Sequence, residues 1–326
     1  MKFSTQAVLA SAAAVLASVA SAQSVKVDGS STVFPVTEAV AEEFQKANKN
    51  LKVTVGISGT GGGFKKFCRA ETDVQNASRP ITANEMKDCR AAGVQYVELP
   101  VAFDALTVVV HKDNPLKEIS IDDLKKMWEP AAQGKVMRWK DVNPAFPDAP
   151  LQLFGAGADS GTFDYFTEAV TGKSKSSRGD FTASEDDNVI VQGVSRTRNA
   201  LGFFGYAYYE ENKDKVKGVP ISWKGGKAVE PSGANVLNGT YQPLSRPIFI
   251  YVNAKSLARP EIKAFAEYYM KHAPKLVAEV KYVPLPAKAY EYNLAALQKV
   301  RLGTKMGGEN KVGLTIEQLM SLEAKE

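Results

Sequence analysis

Three segments made of serine, threonine and glycine each stand where an apolar strand pattern gives way to a helical pattern. They are residues 29–32 (Gly-Ser-Ser-Thr), 58–63 (Ser-Gly-Thr-Gly-Gly-Gly) and 159–162 (Asp-Ser-Gly-Thr). Each predicts a helix N-terminus, where backbone N–H groups lack helical partners and the helix dipole is positive. Small residues let an anion approach these groups, and hydroxyls add donors. Together with Arg79, the segments indicate a site for a small oxyanion such as phosphate.

The chain around the first two segments has the order strand, helix, strand, helix. Val25–Val27 and the alternating residues from Leu51 to Ile57 predict strands, and the spacing of apolar residues predicts a helix over residues 33–47. This order is typical of a parallel sheet covered by helices. Open α/β sheets bind ligands at the carboxyl ends of their strands, which is where the three segments lie.

Later parts of the chain carry further local signals. The apolar run from Ala105 to Val110 predicts one continuous strand buried on both faces. Residues 82–85 (Thr-Ala-Asn-Glu) fit a capping box and predict the start of a helix. The tail after Leu302 is rich in glycine and charge, and we expect it to be partly mobile.

Residues 1–22 have the organisation of a secretory signal peptide. Lys2 precedes an apolar stretch at residues 7–19, which is too short to span a bilayer, and Ala20-Ser21-Ala22 fits the cleavage rule. We therefore expect a soluble, exported, periplasmic protein without a lipid anchor or membrane insertion. The remaining length of about 300 residues favours two domains. The net charge of +5 is evenly spread, so we expect no nucleic-acid partner.

Cys68 and Cys89 are the two cysteines of the chain. An even number of cysteines in an exported protein favours a disulfide, which would close a loop of roughly 22 residues. The alternative is a pair of buried free thiols. We predict the disulfide on the argument from the oxidising compartment.

Most of the candidate binding residues also have ordinary structural explanations. Ser31, Thr32, Ser160 and Thr162 could be helix caps, and Gly161 could be a turn residue. The case for a ligand site rests on the recurrence of such turns at one edge of a sheet.

The charged candidates allow two interpretations each. Arg79 could be a surface residue or pair with Asp73 or Glu71, but its guanidinium could also hold two oxyanion oxygens at once. Asp159 and Asp164 could be negative charges that interact favourably with the positive end of the helix dipole. They could also accept a proton from the ligand or orient Arg79. Further cations of weaker signal follow in the chain: Arg178, Arg196 and Arg198.

Several chemistries lack their sequence signals. His111 and His272 have no metal-ligand spacing, and neither a Ser-His-Asp set nor a P-loop ending in Gly-Lys-Ser/Thr is visible. We therefore predict a binding protein without metal, cofactor or catalytic residues.

The chain resembles the PstS family of periplasmic phosphate-binding proteins, the capture subunits of phosphate ABC importers. The resemblance extends over nearly the whole mature chain. It is carried by residues 28–35 (Asp-Gly-Ser-Ser-Thr-Val-Phe-Pro), 59–64 (Gly-Thr-Gly-Gly-Gly-Phe), 76–81 (Asn-Ala-Ser-Arg-Pro-Ile) and 159–166 (Asp-Ser-Gly-Thr-Phe-Asp-Tyr-Phe).

The resemblance implies an α/β, type II periplasmic-binding-protein fold with two Rossmann-like lobes joined by two crossing strands. Lobe I would comprise residues 24–103 and 247–326, and lobe II residues 104–246. The crossings would lie near residues 101–105 and 243–248. By motif match, the phosphate donors would be Ser31, Thr32, Thr60, Ser160, Gly161 and Thr162, and Ser78, Arg79 and Asp159 complete the predicted site.

The chain departs from the best-studied branch of this family at two positions. That branch has an aspartate, which accepts the ligand's proton, where this chain has Arg79, and an arginine where this chain has Ala156 or a near neighbour. Which carboxylate accepts the proton is therefore open. Asp159 is the first candidate and Asp187 the second.

The leading hypothesis is a monomeric, non-catalytic phosphate receptor. Its two lobes would close over the anion, and a membrane permease of an ABC importer would recognise the closed form. One alternative is a receptor for sulfate, molybdate or another oxyanion. Another is a periplasmic phosphatase with Ser160 or Thr162 as nucleophile beside Asp159.

Overall fold

The computed structural model describes residues 23–325, so the predicted signal peptide at residues 1–22 lies outside the described part of the chain. Within the described range, no helix has the length and apolar character needed to cross a membrane. The strands are β1 (Gln23–Gly29), β2 (Leu51–Val55), β3 (Val74–Ala77), β4 (Tyr96–Ala105), β5 (Thr107–His111), β6 (Ile119–Ser120), β7 (Gln152–Ala156), β8 (Thr182–Ser184), β9 (Ala200–Phe204), β10 (Val216–Gly218), β11 (Ile221–Ser222), β12 (Ser245–Asn253) and β13 (Val283–Pro284). The helices are α1 (Phe34–Ala47), α2 (Gly59–Phe67), α3 (Ala83–Ala91), α4 (Ile121–Trp128), α5 (Trp139–Val142), α6 (Gly161–Thr171), α7 (Asp187–Arg196), α8 (Tyr206–Glu211), α9 (Gly233–Leu237), α10 (Pro260–Glu279), α11 (Ala287–Gln298) and α12 (Ile316–Met320).

Two mixed sheets organise the chain into two lobes. Lobe I is built on a sheet with strand order β13-β4-β12-β3-β1-β2, in which β1 runs parallel to both β2 and β3. Lobe II is built on a sheet with order β10-β5-β9-β7-β8, in which β7 runs parallel to both β8 and β9. Helices cover these sheets, so the predicted two-lobed α/β fold is confirmed.

The chain passes between the two sheets at Leu106. β4 ends at Ala105 in the first sheet, and β5 begins at Thr107 in the second. The prediction of one continuous strand from Ala105 to Val110 is therefore wrong, because the apolar run supplies parts of two strands in different sheets. The Leu106 N–H donates to the Leu244 carbonyl at 2.9 Å, which places the segment leading into β12 beside this passage. The predicted residue boundaries of the lobes stay a prediction.

Helix starts follow the capping signals of the sequence. α1 covers Phe34–Ala47, close to the predicted range. At α3 the Thr82 hydroxyl accepts from the Glu85 N–H while the Glu85 carboxylate accepts from the Thr82 N–H, which confirms the capping box. At α6 the Ser160 hydroxyl accepts from the Thr162 N–H at 3.1 Å. These caps orient the ends of the helices that face the other lobe.

Aromatic side chains fix α6 to the core of lobe II. Phe166 on α6 stacks on Phe203 of β9 with ring centroids 3.8 Å apart, and Trp128 packs edge-on against both rings. Such large buried rings dominate core energetics. The helix that begins with Gly161 is therefore held firmly against its own sheet.

The predicted disulfide is confirmed. Cys68 caps the C-terminal end of α2 and is bonded to Cys89 of α3, 21 residues further along the chain. The bond ties together two helices of lobe I that both begin at the cleft between the lobes.

The tail after Leu302 folds against the body of the protein, although the sequence predicted partial mobility. Leu319 of α12 is fully buried, and Thr304 and Lys325 exchange two backbone hydrogen bonds of 2.9 Å. Apolar residues spaced along a glycine-rich segment are enough to pack it.

Replacing both cysteines by alanine should lower the free energy of unfolding by about 3 kcal/mol, because the unfolded chain regains the entropy of a loop of roughly 22 residues. The measurement is the urea midpoint of the double variant against the oxidised protein. Dithiothreitol should lower the wild-type midpoint to a similar extent and leave that of the double variant unchanged. Equal midpoints of oxidised protein and variant would contradict the prediction.

Candidate functional site

The predicted hydroxyl residues lie where parallel strands end at the cleft between the lobes. Ser31 and Thr32 follow β1, Thr60 is in the first turn of α2, and Ser160 and Thr162 follow β7. All five side chains are almost completely buried. The carboxyl ends of the strands of both lobes therefore face one another with a lining of hydroxyl groups.

These hydroxyls contact one another within and between the lobes. Thr32 Oγ1 of lobe I lies 2.9 Å from Thr162 Oγ1 of lobe II. Within lobe I, Thr60 Oγ1 lies 3.2 Å from Ser78 Oγ and accepts from the Ser78 N–H at 3.1 Å. A hydroxyl can donate or accept by rotating, so the cluster can turn several O–H groups towards a shared acceptor.

Gly161 allows this approach of the lobes. A Cβ placed on Gly161 would lie 2.6 Å from Thr60 Oγ1 and 2.7 Å from Ser78 Oγ, both on lobe I. Real Cβ atoms essentially never come so close to a neighbour. The glycine is therefore required by the contact between lobes, beyond any role in the turn itself.

Arg246 places a guanidinium at the centre of the cluster. Its side chain on β12 is 0% exposed and forms an ion pair with Asp104 of β4, with Nη2 2.9 Å from Asp104 Oδ2. Nη2 also donates to Thr162 Oγ1 at 2.8 Å. Nη1 donates to the carbonyls of Ser78 at 2.9 Å and Gly161 at 3.1 Å. One cation thus binds groups of both lobes.

The sequence interpretation missed Arg246, although it lies inside the segment assigned as the second crossing. A usable signal was present. Asp104 and Arg246 are single charges within apolar runs that were predicted to cross between the lobes. Two opposite charges in neighbouring buried strands are expected to pair. Burial raises the pKa of Asp104, and the charge of Arg246 opposes that shift.

Arg79 is also buried, but its donors are engaged by carboxylates. Nη1 and Nη2 bind both oxygens of Glu85 at 2.7 and 2.8 Å, and Nε donates to Asp164 Oδ2 at 2.6 Å. The predicted pairing of Arg79 with Asp73 or Glu71 is wrong, because Asp73 pairs with Arg259 and Glu71 pairs with Arg69. Since Asp164 belongs to lobe II, the Arg79–Asp164 ion pair joins the two lobes.

Asp159 lies at the cleft edge, away from the hydroxyl cluster. Its side chain is 41% exposed, and its carboxylate accepts from Lys65 Nζ at 3.0 and 3.1 Å. Its backbone carbonyl accepts from the Gly61 N–H at 2.7 Å. The residue therefore contributes to contact between the lobes, with a carboxylate already paired to a cation.

Asp187, the second candidate acceptor, faces the cluster. Its side chain is fully buried at the start of α7 in lobe II. Oδ1 accepts from Ser31 Oγ of lobe I at 3.2 Å, and the Gly205 N–H lies 3.5 Å from Oδ2. Both partners are neutral. Burial raises the pKa of Asp187 to about 7, against the effect of these hydrogen bonds.

The remaining candidate cations lie elsewhere. Arg178 is buried in lobe II, where it binds Asp180 and the carbonyls of Met127 and Val136. Arg196 and Arg198 are exposed. Among residues 23–325, no group of three or more histidine, cysteine or carboxylate residues has a metal-binding arrangement.

Comparison with known proteins gives consistent matches. The model of the PBP superfamily domain matches residues 14–272. Protein SphX of Synechococcus elongatus is 54% identical over 299 residues, which cover 92% of this chain and 88% of the relative. Phosphate-binding protein PstS of Staphylococcus saprophyticus is 40% identical over 280 residues, which cover 85% of each protein.

Solved structures have the same architecture. A possible phosphate binding protein from Planctomyces limnophilus has 48% identity and a TM-score of 0.63, covering 86% of this chain and 99% of its own. A substrate-binding protein described as belonging to a phosphate ABC transporter of Clostridium perfringens, solved with bound phosphate, has 26% identity and a TM-score of 0.69. That match covers 81% of this chain and all of its own.

Asp187→Asn should stabilise the protein relative to wild type, by an amount that grows from about pH 4 to about pH 7. The unfolded carboxyl ionises near its ordinary pKa of about 3.9, whereas burial keeps the native group protonated to about 7. Native wild type then binds more protons than the unfolded chain and loses stability as the pH rises through this window. At about 1.4 kcal/mol per pKa unit, the difference should reach a few kcal/mol.

The measurement is the urea midpoint of both proteins at intervals from pH 4 to pH 8, with exposed Asp214→Asn as the control. The difference between Asp187→Asn and wild type should level off above pH 7, whereas the control should follow wild type throughout. A constant difference across the whole range would refute the assigned protonation.

Proposed function

The chain belongs to the PstS family of phosphate-binding proteins within the PBP superfamily, and we propose from this premise that it captures inorganic phosphate between its lobes. The observation that carries the proposal is the fully buried Arg246 guanidinium, which binds hydroxyl or carbonyl groups of both lobes. A buried oxyanion needs such donors, because an unpaired buried charge is costly. Relatives named phosphate-binding protein support the choice of anion.

The proposed ligand donors are the hydroxyls and N–H groups of the cluster together with one or both arginines. The full set is Ser31, Thr32, Thr60, Ser78, Arg79, Ser160, Gly161, Thr162 and Arg246. Hydroxyls suit phosphate because each can donate to an oxygen without adding charge. Arg246 takes the position nearest the hydroxyls, whereas Arg79 reaches the ligand only by giving up a carboxylate partner.

We assign the role of acceptor for the ligand's proton to Asp187 rather than to Asp159. Asp187 is buried beside Ser31 with neutral partners, whereas Asp159 is bound to Lys65 at the edge of the cleft. A carboxylate that faces the ligand can accept a hydrogen bond from a P–OH group. Sulfate has no proton to offer, so the same group repels it above about pH 7, where Asp187 is ionised.

Delivery to a membrane permease follows from membership of this family. The proposed protein is an exported, periplasmic monomer whose closed form, with lobe I at residues 24–103 and 247–326 and lobe II at 104–246, engages the permease of an ABC importer. Closure of two lobes about crossing strands is a common mechanism in such receptors.

We propose that the protein is not an enzyme. In the phosphatase alternative Ser160 or Thr162 would act beside Asp159, but the Ser160 hydroxyl caps α6 and the Asp159 carboxylate binds Lys65. Neither arrangement activates a nucleophile, which requires a base within hydrogen-bond reach. Turnover of a chromogenic phosphate ester by the purified protein would contradict this assignment.

Titration calorimetry of the ligand-stripped protein above pH 7, where Asp187 is ionised, should show tight binding of phosphate and far weaker binding of sulfate. An unmatched buried charged group costs about 1–3 kcal/mol or more, so the preference should be roughly fivefold to well over a hundredfold. Asp187→Asn should reduce this preference by about tenfold or more, since the amide can donate to sulfate. Asp159→Asn is the matched control and should retain the preference.

Three outcomes separate the alternatives. Equal binding of both anions by wild type would favour a general oxyanion receptor. A preference lost in Asp159→Asn but kept in Asp187→Asn would return the acceptor role to Asp159. Molybdate measured in the same series completes the comparison.

Arg246→Lys should weaken phosphate binding by roughly a hundredfold, because lysine keeps the charge but loses the planar fork that serves both lobes. Arg178→Lys is the matched control, since Arg178 is also buried against one aspartate and two carbonyls but lies outside the cleft. The phosphate affinity of Arg178→Lys should stay within a few fold of that of wild type. Calorimetry on both variants, after circular dichroism confirms folding, makes the test.

A substitution of Arg79 tests the cation that the sequence predicted for the site. Arg79→Lys should also weaken binding, because the lysine cannot hold Glu85 and reach across to Asp164 at once. Wild-type affinity in Arg79→Lys together with a large loss in Arg246→Lys would assign the ligand cation to Arg246 alone. Wild-type affinity in both would refute the proposed arginine roles.

A further inference from the structure

The C-terminal segment forms a closed loop whose base belongs to lobe I. Thr304 and Lys325 exchange two backbone hydrogen bonds of 2.9 Å, which close the loop. Its first residues are fixed by Glu98 of β4, whose fully buried carboxylate accepts from the Thr304 hydroxyl and, at 2.7 Å, from the Lys305 N–H. We call residues 304–325 the C-terminal loop.

The loop follows lobe I until Gly308. This residue has φ +86°, and a Cβ on it would lie 3.0 Å from the Ala83 nitrogen and 3.1 Å from Met86 Sδ. Both contacts belong to α3. A left-handed glycine in close contact with the helix lets the chain turn away from lobe I at this point.

The tip of the loop binds lobe II. Asn310 Nδ2 donates to Glu168 Oε2 at 2.8 Å, and the Gly313 N–H donates to Tyr165 Oη at 3.3 Å. A Cβ on Gly313 would lie 3.4 Å from Gln242 Oε1, in the segment that leads into β12. The loop is therefore a connection between the lobes in addition to the two crossing segments.

Both side chains held by the tip belong to α6. This helix begins at Gly161 and carries the proposed ligand donors Gly161 and Thr162 in its first turn. Tyr165 also donates to the carbonyls of Pro243 at 3.0 Å and Ser245 at 2.9 Å, where the chain enters β12. The loop thus contacts the helix that presents the donors and, through Tyr165, the passage between the lobes.

We propose that the C-terminal loop positions α6, holding the donors at its N-terminus against lobe I when the cleft is closed. This inference rests on the proposed function as a phosphate receptor. Because α6 is packed rigidly on its own sheet through Phe166, a contact at Glu168 acts on lobe II as a whole. The loop therefore slows opening of the cleft and release of the anion.

Buried contacts of Arg79 and Arg246 join the lobes at the start of α6, and the remaining ion pair at the cleft edge leaves room for a further contact. The Lys65–Asp159 ion pair bridges the lobes at the cleft edge, but both side chains are substantially exposed, at 65% and 41%. Exposed ion pairs contribute little to stability. The Asn310–Glu168 bond is half-buried, and burial raises the pKa of Glu168 while Asn310 opposes that shift.

The test compares Asn310→Ala, Glu168→Ala and the double variant with Lys311→Ala, an exposed neighbour on the same loop. Phosphate affinity is measured by calorimetry, and the dissociation rate of phosphate is measured by stopped flow. The thermal unfolding midpoint of each variant is measured without ligand. Each single variant should bind phosphate about three- to tenfold more weakly, mainly through faster dissociation. The double variant should bind phosphate no more weakly than the weaker-binding single variant. Lys311→Ala should have the affinity and dissociation rate of wild type.

Two results would overturn the inference while leaving the receptor assignment intact. One is wild-type affinity and dissociation rate in Asn310→Ala and Glu168→Ala, whatever their thermal midpoints. The other is an equal loss in Lys311→Ala, which would indicate a general effect of the loop surface. A wild-type protein that fails to bind phosphate would instead overturn the proposed function, and this inference with it.

Discussion

The Asp104–Arg246 ion pair is the interaction on which the arrangement of the cleft depends. Two fully buried charges are expensive to remove from water, and only good geometry with further hydrogen bonds compensates for that cost. The strands β4 and β12 provide the geometry as antiparallel neighbours in the lobe I sheet, with Asp104 and Arg246 paired near the end of the ladder. The guanidinium then has donors left for Ser78, Gly161 and Thr162, so the charge that is fixed at the passage between the lobes also serves the cleft.

The charged groups around the cleft differ in their burial and in their partners. Arg79 is satisfied by Glu85 and Asp164, and the exposed Asp159 by Lys65. Asp187 has neutral partners only and is buried, which favours its protonated form. The cleft thus combines a fixed positive charge with a carboxyl group that can change its protonation. In the proposed receptor, this combination would distinguish anions by their protons as well as by their charge.

The fold was largely predictable from the sequence because its signals are local. Caps such as Ser160 and Thr82, the alternating strands and the glycine-rich turns each act within a few residues. The motif residues were found for the same reason. The prediction of a single strand over Ala105–Val110 was wrong, because apolar character does not reveal the sheet in which each residue lies.

Electrostatic partners were less predictable, because a side chain's direction is set by elements distant in sequence. The sequence offered Asp73 and Glu71 as partners of Arg79 and Asp159 or Asp164 as groups that orient it, and only the structure selects Asp164, 85 residues away. Asp159 and Asp187 were both candidate acceptors, and only the packing of the lobes places Asp159 at the exposed edge and Asp187 in the interior. Arg246 lies in a segment predicted as a crossing, and its partner Asp104 is 142 residues away in the sequence.

The Cys68–Cys89 bond has a consequence for the maturation of the protein. It joins α2, whose first turn carries Thr60, to α3, whose Glu85 holds Arg79. Two parts of the cleft wall are thus covalently linked only in the oxidised chain. A copy kept in a reducing compartment would have the same sequence and sheets but a less constrained wall, so the shape of the site is completed only on oxidation.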